Sequence, residues 1–188
     1  LATGNAGVMA ATNEAVAAAQ FPMLLWVFGA VAALCLLTFR SFAATLCILL
    51  PLGLASLLAY ALMAWLEIGL KVGTLPVVAL GVGIGVDYGI YIYSRFAALR
   101  RPGRSLRETY EDALAITGNG VLFTGLTLGL AVATWVFSSL KFQADMGILL
   151  VFLFVMNMIG AIVLLPALAH FLVGEPKPGK DPEPKPAR

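Results

Sequence analysis

Apolar residues fill this chain in five long blocks, separated by short and sharply bounded polar stretches. A helix that crosses a bilayer needs about 20 predominantly apolar residues. Residues 20–39, 41–66, 74–95, 117–138 and 144–172 meet that requirement. The expected fold is therefore all-α, a polytopic transmembrane bundle of five helices that occupies residues 20–172. The second and fifth blocks exceed the minimum, so those helices tilt or project beyond the hydrocarbon. Arg40 and Ser41 leave only a tight turn between the first two.

Two segments outside the blocks carry their own signals. After Pro102-Gly103, the run Ser105-Leu106-Arg107-Glu108 has the S-x-x-E form of a capping box. Leu106, Tyr110, Ala113 and Leu114 then recur at helical spacing, which predicts a short cytoplasmic amphipathic helix over about 105–116, before the fourth span. The tail over 173–188 is rich in Pro and charge, cannot bury a core, and is expected to be disordered or extended. Residues 1–19, rich in Ala, Gly and Asn, are expected to form a stub, as a hinge or helix, leading into the first span. The chain opens at Leu1 without a signal-peptide pattern and reads as part of something longer.

Composition agrees with the block pattern: 61% of residues are hydrophobic, 12% are charged, and the mean hydropathy is +0.95. The net charge of +2 does not signal nucleic-acid binding, because the basic residues gather at the ends of apolar blocks rather than in an aromatic-interleaved patch. They read as topology signals. One side of the membrane would hold Arg40, the arginines between 95 and 107, and Lys177, Lys180, Lys185 and Arg188, whereas the other holds only Lys71 and Lys141. This places the N-terminus outside and the C-terminus in the cytoplasm. Cys35 and Cys47 lie inside apolar runs with no metal-ligand spacing around them, so they read as small packing residues, and no metal or other cofactor is expected. Enzymatic catalysis finds no support. His170, the sole histidine, sits where it would cap the last helix, and Gly81-x-Gly-x-Gly lies mid-span rather than between a strand and a helix.

Asp87 breaks the apolar pattern of the third block. At about 1.5 Å per residue it lies about 20 Å from Thr74 and about 12 Å from Arg95, at membrane depth. A carboxylate there costs about 2.5–3.5 kcal/mol on insertion scales, so such groups face a bundle interior or a water-filled path. One reading is a structural Asp that hydrogen-bonds a neighbouring helix. The preferred reading is a proton-exchanging group, since loss of water disfavours the charged form of a carboxyl. Gly81, Gly85 and Gly89 repeat every four residues and form a ridge for close helix approach, with Gly83 adding room beside the acid. Tyr91 and Ser94 extend a polar stripe from Asp87. Tyr88 is placed to bond across to another helix, whereas Tyr93 reads as an interfacial anchor, a role also open to Tyr91. In the fourth span Thr117, Gly120, Thr124, Thr127, Ala131 and Thr134 gather on one face, expected to pack inward unless each Thr serves its own backbone. Asn157 in the fifth is either interhelical glue or part of the polar site.

The run Gly81-Val-Gly-Ile-Gly-Val-Asp-Tyr-Gly-Ile-Tyr-Ile-Tyr-Ser-Arg95 resembles the Asp-Tyr helix of the resistance-nodulation-division (RND) exporters, in particular the MMPL-type branch. The resemblance continues through Thr117-Gly-Asn-Gly-Val-Leu-Phe-Thr-Gly-Leu-Thr127 and from Phe142-Gln-Ala-Asp-Met-Gly147 to Leu164-Leu-Pro-Ala-Leu168, covering nearly all of residues 20–172. It implies the last five helices of the second half of a proton-motive-force-driven exporter of lipidic or other hydrophobic molecules. That protein would sit in a bacterial inner membrane with a periplasmic N-terminus. Asp87 and Tyr88 would belong to the proton relay, with Tyr91, Thr124, Thr127 and Asn157 as supporting polar positions. The implied partners are membrane lipid, the missing N-terminal half and the hydrophobic substrate, with a homo-oligomer and periplasmic or outer-membrane accessory proteins as further candidates. A sterol-sensing-like lipid-binding module and a SecD/SecF-like translocation subunit share the architecture and remain as alternatives.

Overall fold

The structure is a computed structural model and describes residues 5–69, 74–101 and 105–173. The tail from 174 onwards, Pro102-Gly103, Arg104 and Lys71, all used in the sequence reading, lie outside the described residues. Every described element is helical: α1 (Asn5–Phe39), α2 (Phe42–Trp65), α3 (Leu75–Leu99), α4 (Leu106–Ala133), a 3₁₀ turn (Thr134–Phe137), α5 (Lys141–Ile159), a π-helical segment (Gly160–Leu164) and α6 (Leu165–Val173). Five helical stretches are long and apolar enough to cross a membrane, the fifth joining α5, the π segment and α6.

The ends of these helices follow from local chemistry. α1 and α2 reverse direction within two residues: Arg40 takes a left-handed φ of 48°, and the Ser41 hydroxyl then accepts from the Ala44 amide at 3.4 Å to cap α2. At the far end of α2, Glu67 has φ of 54°, and the amides of Glu67 and Ile68 return to the carbonyls of Ala64 and Met63. This is the double bond of a Schellman cap, with Glu where Gly is usual. The Ser105 hydroxyl accepts from the Glu108 amide at 3.2 Å and so starts α4. The amphipathic stretch after it is helical, buries Leu106, Thr109, Tyr110 and Ala113, and runs without a break into the fourth span. Likewise α1 is continuous from Asn5, through the residues expected to lead into the first span.

α3 is the central helix, in contact with every other span. Its glycine ridge explains how. A Cβ placed on Gly81 would come within 2.6 Å of Leu153 on α5, one on Gly89 would meet Ile48 on α2 at 3.0 Å, and one on Gly85 would collide with the Asn157 amide and with Leu52. Side chains from α2 and α5 therefore fill the space these three glycines leave. Gly83, grouped with them in the sequence reading, does not pack: nothing lies within 4 Å of its added Cβ. Two residues from Gly81 or Gly85 is about 200° of helix turn, which puts Gly83 on the opposite face.

The fifth span changes register at residues 160–164. There the Leu165 amide bonds back to the Gly160 carbonyl, five residues earlier. Pro166 has no amide to offer the next carbonyl, that of Ala161. The Tyr110 hydroxyl supplies the missing donor, reaching the Ala161 oxygen at 3.2 Å from α4. Gly160 lets this irregular turn close on another, since its added Cβ would lie 3.2 Å from Pro51, the proline inside α2.

Two outcomes test this packing. Gly85→Val should cost about 1–3 kcal/mol by overpacking against Asn157 and Leu52, while Gly83→Ala should stay within about 0.5 kcal/mol of the parent; thermal unfolding in detergent separates them. Tyr110→Phe keeps the ring and strands the Ala161 carbonyl, so the same assay should register a loss of about 1–3 kcal/mol.

Candidate functional site

The 3.6-residue period divides α3 into two unlike faces. On one, Gly81, Gly85 and Gly89 are buried against α2 and α5. On the other, Leu80, Gly83, Asp87, Tyr91 and Ser94 are exposed. Asp87 thus lies on the surface of this chain, at the wall of a cleft of about 540 Å³ between α3 and α4. Tyr88, Tyr91, Thr117, Gly120 and Thr124 line the same cleft, and Ile84, Val121 and Leu128 make it largely apolar.

The structure brings together most, but not all, of the residues singled out from sequence. Tyr88 is 3% exposed, and its hydroxyl is buried with no hydrogen-bond partner among the described atoms. It therefore holds an unspent donor and acceptor beside the acid. Tyr91 is 66% exposed and projects from the open face, and the Ser94 hydroxyl turns back to the Tyr91 carbonyl at 3.0 Å. Tyr93 is buried instead, edge-on to Phe39 with ring centroids 5.1 Å apart, so it packs α3 against α1 rather than anchoring at an interface.

The threonine face of α4 does not pack inward within this bundle. Gly120, Thr124, Thr127, Ala131 and Thr134 are all exposed, and buried Val121, Gly125 and Gly129 form the inner face instead. Gly125 wins that place because the Met158 sulfur fills the space beside it. Several hydroxyls serve their own helix: Thr117 donates to the Ala113 carbonyl at 2.7 Å, Thr127 to Phe123 at 2.8 Å and Thr134 to Ala131 at 2.7 Å. Thr127 does not line the cleft. Neither does Asn157, whose side-chain amide donates to the Gly81 carbonyl at 2.9 Å on the other side of α3. That bond is interhelical glue.

Two further buried residues have roles that their sequence positions do not signal. Tyr110 belongs to the register change described above. Asp145, 8% exposed in the second turn of α5, borders a cleft of about 170 Å³ with Glu67, Ile68 and Lys141. Asp145 stands at the start of the fifth apolar block, and the cap residues of α2 share its cleft. Among the described residues, no three His, Cys, Asp or Glu side chains come close enough to hold a metal ion.

Comparison with known proteins decides the family. Residues 2–185 match the family model described as MMPL family. The chain belongs to the MMPL family. A membrane protein of Streptomyces coelicolor is 34% identical over 101 residues, which are 54% of this chain and 14% of that protein. A membrane protein of Methanocaldococcus jannaschii is 31% identical over 120 residues, 64% of this chain and 31% of that protein. A Mycobacterium tuberculosis protein named Probable transport protein MmpL12 is 26% identical over 137 residues, 71% of this chain and 12% of that protein. The chain thus spans well under half the length of these relatives. Five apolar helices and membership of the MMPL family make it a multi-pass membrane protein whose function class, at the level of the family, is membrane transport.

The exposure of Asp87 has a direct chemical readout. An apolar carbodiimide, which couples to carboxyl groups from within lipid, should modify Asp87 in this chain ahead of Asp145. Mass spectrometry of peptides reads the adduct, and absence of label at Asp87 would contradict an open cleft.

Proposed function

We propose that this chain is the C-terminal transmembrane portion of a proton-motive-force-driven, RND-type exporter of lipidic or other hydrophobic molecules, with Asp87 and Tyr88 as its half of the proton relay. The observation that carries this reading is the cleft with Asp87 and Tyr88 on its walls. A bundle whose other outward positions meet lipid would not leave a carboxylate on an uncovered face at a cost of about 2.5–3.5 kcal/mol. The small and hydroxyl side chains of α3 and α4 around it suit a second helical surface, and the N-terminal half of the same transporter is the partner we assign to it.

The chemistry asked of the site is modest. A proton entering from one side neutralises Asp87 and removes the cost of holding its charge in a low-dielectric cleft. Each charge moved through the membrane potential contributes about 2.3 kcal/mol per 100 mV, enough to bias two arrangements of helices that differ by a few kcal/mol. Tyr88, whose buried hydroxyl has no partner among the described residues, would exchange a hydrogen bond with the carboxyl or with a group opposite it. Arg40, Arg95, Arg100 and Arg101 lie at or beyond the ends of α1 and α3 that the antiparallel topology brings to one side of the bundle, which supports a cytoplasmic assignment of that side in a bacterial inner membrane.

In the full-length transporter, Asp87→Asn should reduce gradient-driven export to background while membrane abundance and thermal stability stay at parental levels. Tyr88→Phe should slow export without abolishing folding. Export that persists in Asp87→Asn and still collapses with the proton gradient would overturn the assignment. Lipid binding that is indifferent to the gradient would point to a lipid-binding module instead.

A further inference from the structure

Behind α3, away from the cleft, the apolar centre of the bundle holds an unmatched polar atom. Asn157 is 3% exposed, and its amide nitrogen donates one N–H to the Gly81 carbonyl. That bond fixes which end of the amide is nitrogen and leaves Oδ1 buried with no hydrogen-bond partner. Asn157 lines a void of about 10 Å³ together with Ile48, Pro51 and Leu52 of α2, Gly85 and Gly89 of α3, and Ala161 of the π segment. Every residue around this void is buried.

One of the lining residues, Pro51, breaks the backbone bonding of its own helix. Pro51 stands inside α2 and has no amide hydrogen, so the carbonyl of Cys47, one turn earlier, loses its ordinary helical donor. A stranded side-chain acceptor on α5 and a proline-freed carbonyl one turn from a lining residue of α2 thus flank the same small region.

We propose that this void is a binding site for a single water molecule, which donates one O–H to Asn157 Oδ1 and the other to the main-chain carbonyl of Cys47. Two donors on one small molecule are the complement of two stranded acceptors. The volume stands at the lower limit of the ~10–15 Å³ that one water requires, so nothing larger is accepted. A bare cation is disfavoured because only neutral groups surround the void and no carboxylate lines it. The water would join α2 to α5 at the level of the glycine ridge. A bridge of this kind re-forms after a small displacement, which a direct side-chain contact of fixed length does not. α5 would then keep its polar contact with α2 as the two shift over α3.

Radiolytic hydroxyl-radical footprinting of the protein in lipid nanodiscs tests this, because radicals formed from a bound water oxidise side chains that bulk solvent does not reach. Ile48 and Leu52, both 3% exposed, should be oxidised in the parent protein. Asn157→Leu keeps the shape and removes the acceptor, and should lower that oxidation several-fold. Pro51→Ala returns an amide hydrogen to the Cys47 carbonyl and should lower it independently, which keeps the test decisive if Asn157→Leu fails to fold. No oxidation of Ile48 and Leu52 in the parent, or undiminished oxidation in a folded Asn157→Leu or Pro51→Ala protein, would overturn the proposal.

Discussion

The close approach of α2 and α5 to the backbone of α3 at Gly81, Gly85 and Gly89 is the constraint on which the rest of the bundle depends. Between helices in lipid there is no hydrophobic driving force to speak of, since the surroundings are as apolar as the side chains. Association rests instead on dense packing and on hydrogen bonds that only near contact allows. Leu153, Asn157, Leu52 and Ile48 occupy the volume that side chains on the ridge would have taken. The same proximity lets Asn157 reach a carbonyl of the α3 backbone. Once that seam is closed, helical geometry turns the opposite face of α3 outwards, and Asp87 with it.

The prolines of the second and fifth spans show how the bundle absorbs broken backbone bonds. A carbonyl left unpaired in hydrocarbon costs several kcal/mol, so each break needs a local remedy. At Pro166 the remedy comes from 51 residues away, as the Tyr110 hydroxyl bonds to the carbonyl of Ala161. The start of α4 and the last turns of the fifth span are tied together by it. At Pro51 the fifth span comes close through Gly160, which sets the π segment against the proline of α2. Places where a helix leaves regular geometry are also places where it can bend. Here they lie on the α2–α5 side of α3, across the helix from the cleft.

The two faces of α3 divide the labour of the molecule. One is closed and rich in fixed contacts; the other brings a carboxyl and two phenols to an open cleft. In the proposed relay, a force generated at Asp87 would act on a helix whose back is held by glycine contacts and one amide bond.

Much of this was legible in the residues themselves. Five spans, the tight turn at Arg40-Ser41, the cap at Ser105 and the singular position of Asp87 follow from local length, hydropathy and spacing, which need no knowledge of neighbours. The Gly81, Gly85 and Gly89 ridge could be read for the same reason: a four-residue repeat marks one side of a helix. What the sequence could not say is which side of each helix faces which other helix. Tertiary packing decided that the threonine face of α4 looks outwards while Gly125 and Gly129 look in. It also decided that Asn157 serves the closed seam rather than the acid, that Tyr93 is buried, and that Tyr110 completes a break in another span. In an apolar helix most faces are equally greasy, so periodicity alone cannot rank them. Only the volumes and hydrogen bonds supplied by the other helices break the tie.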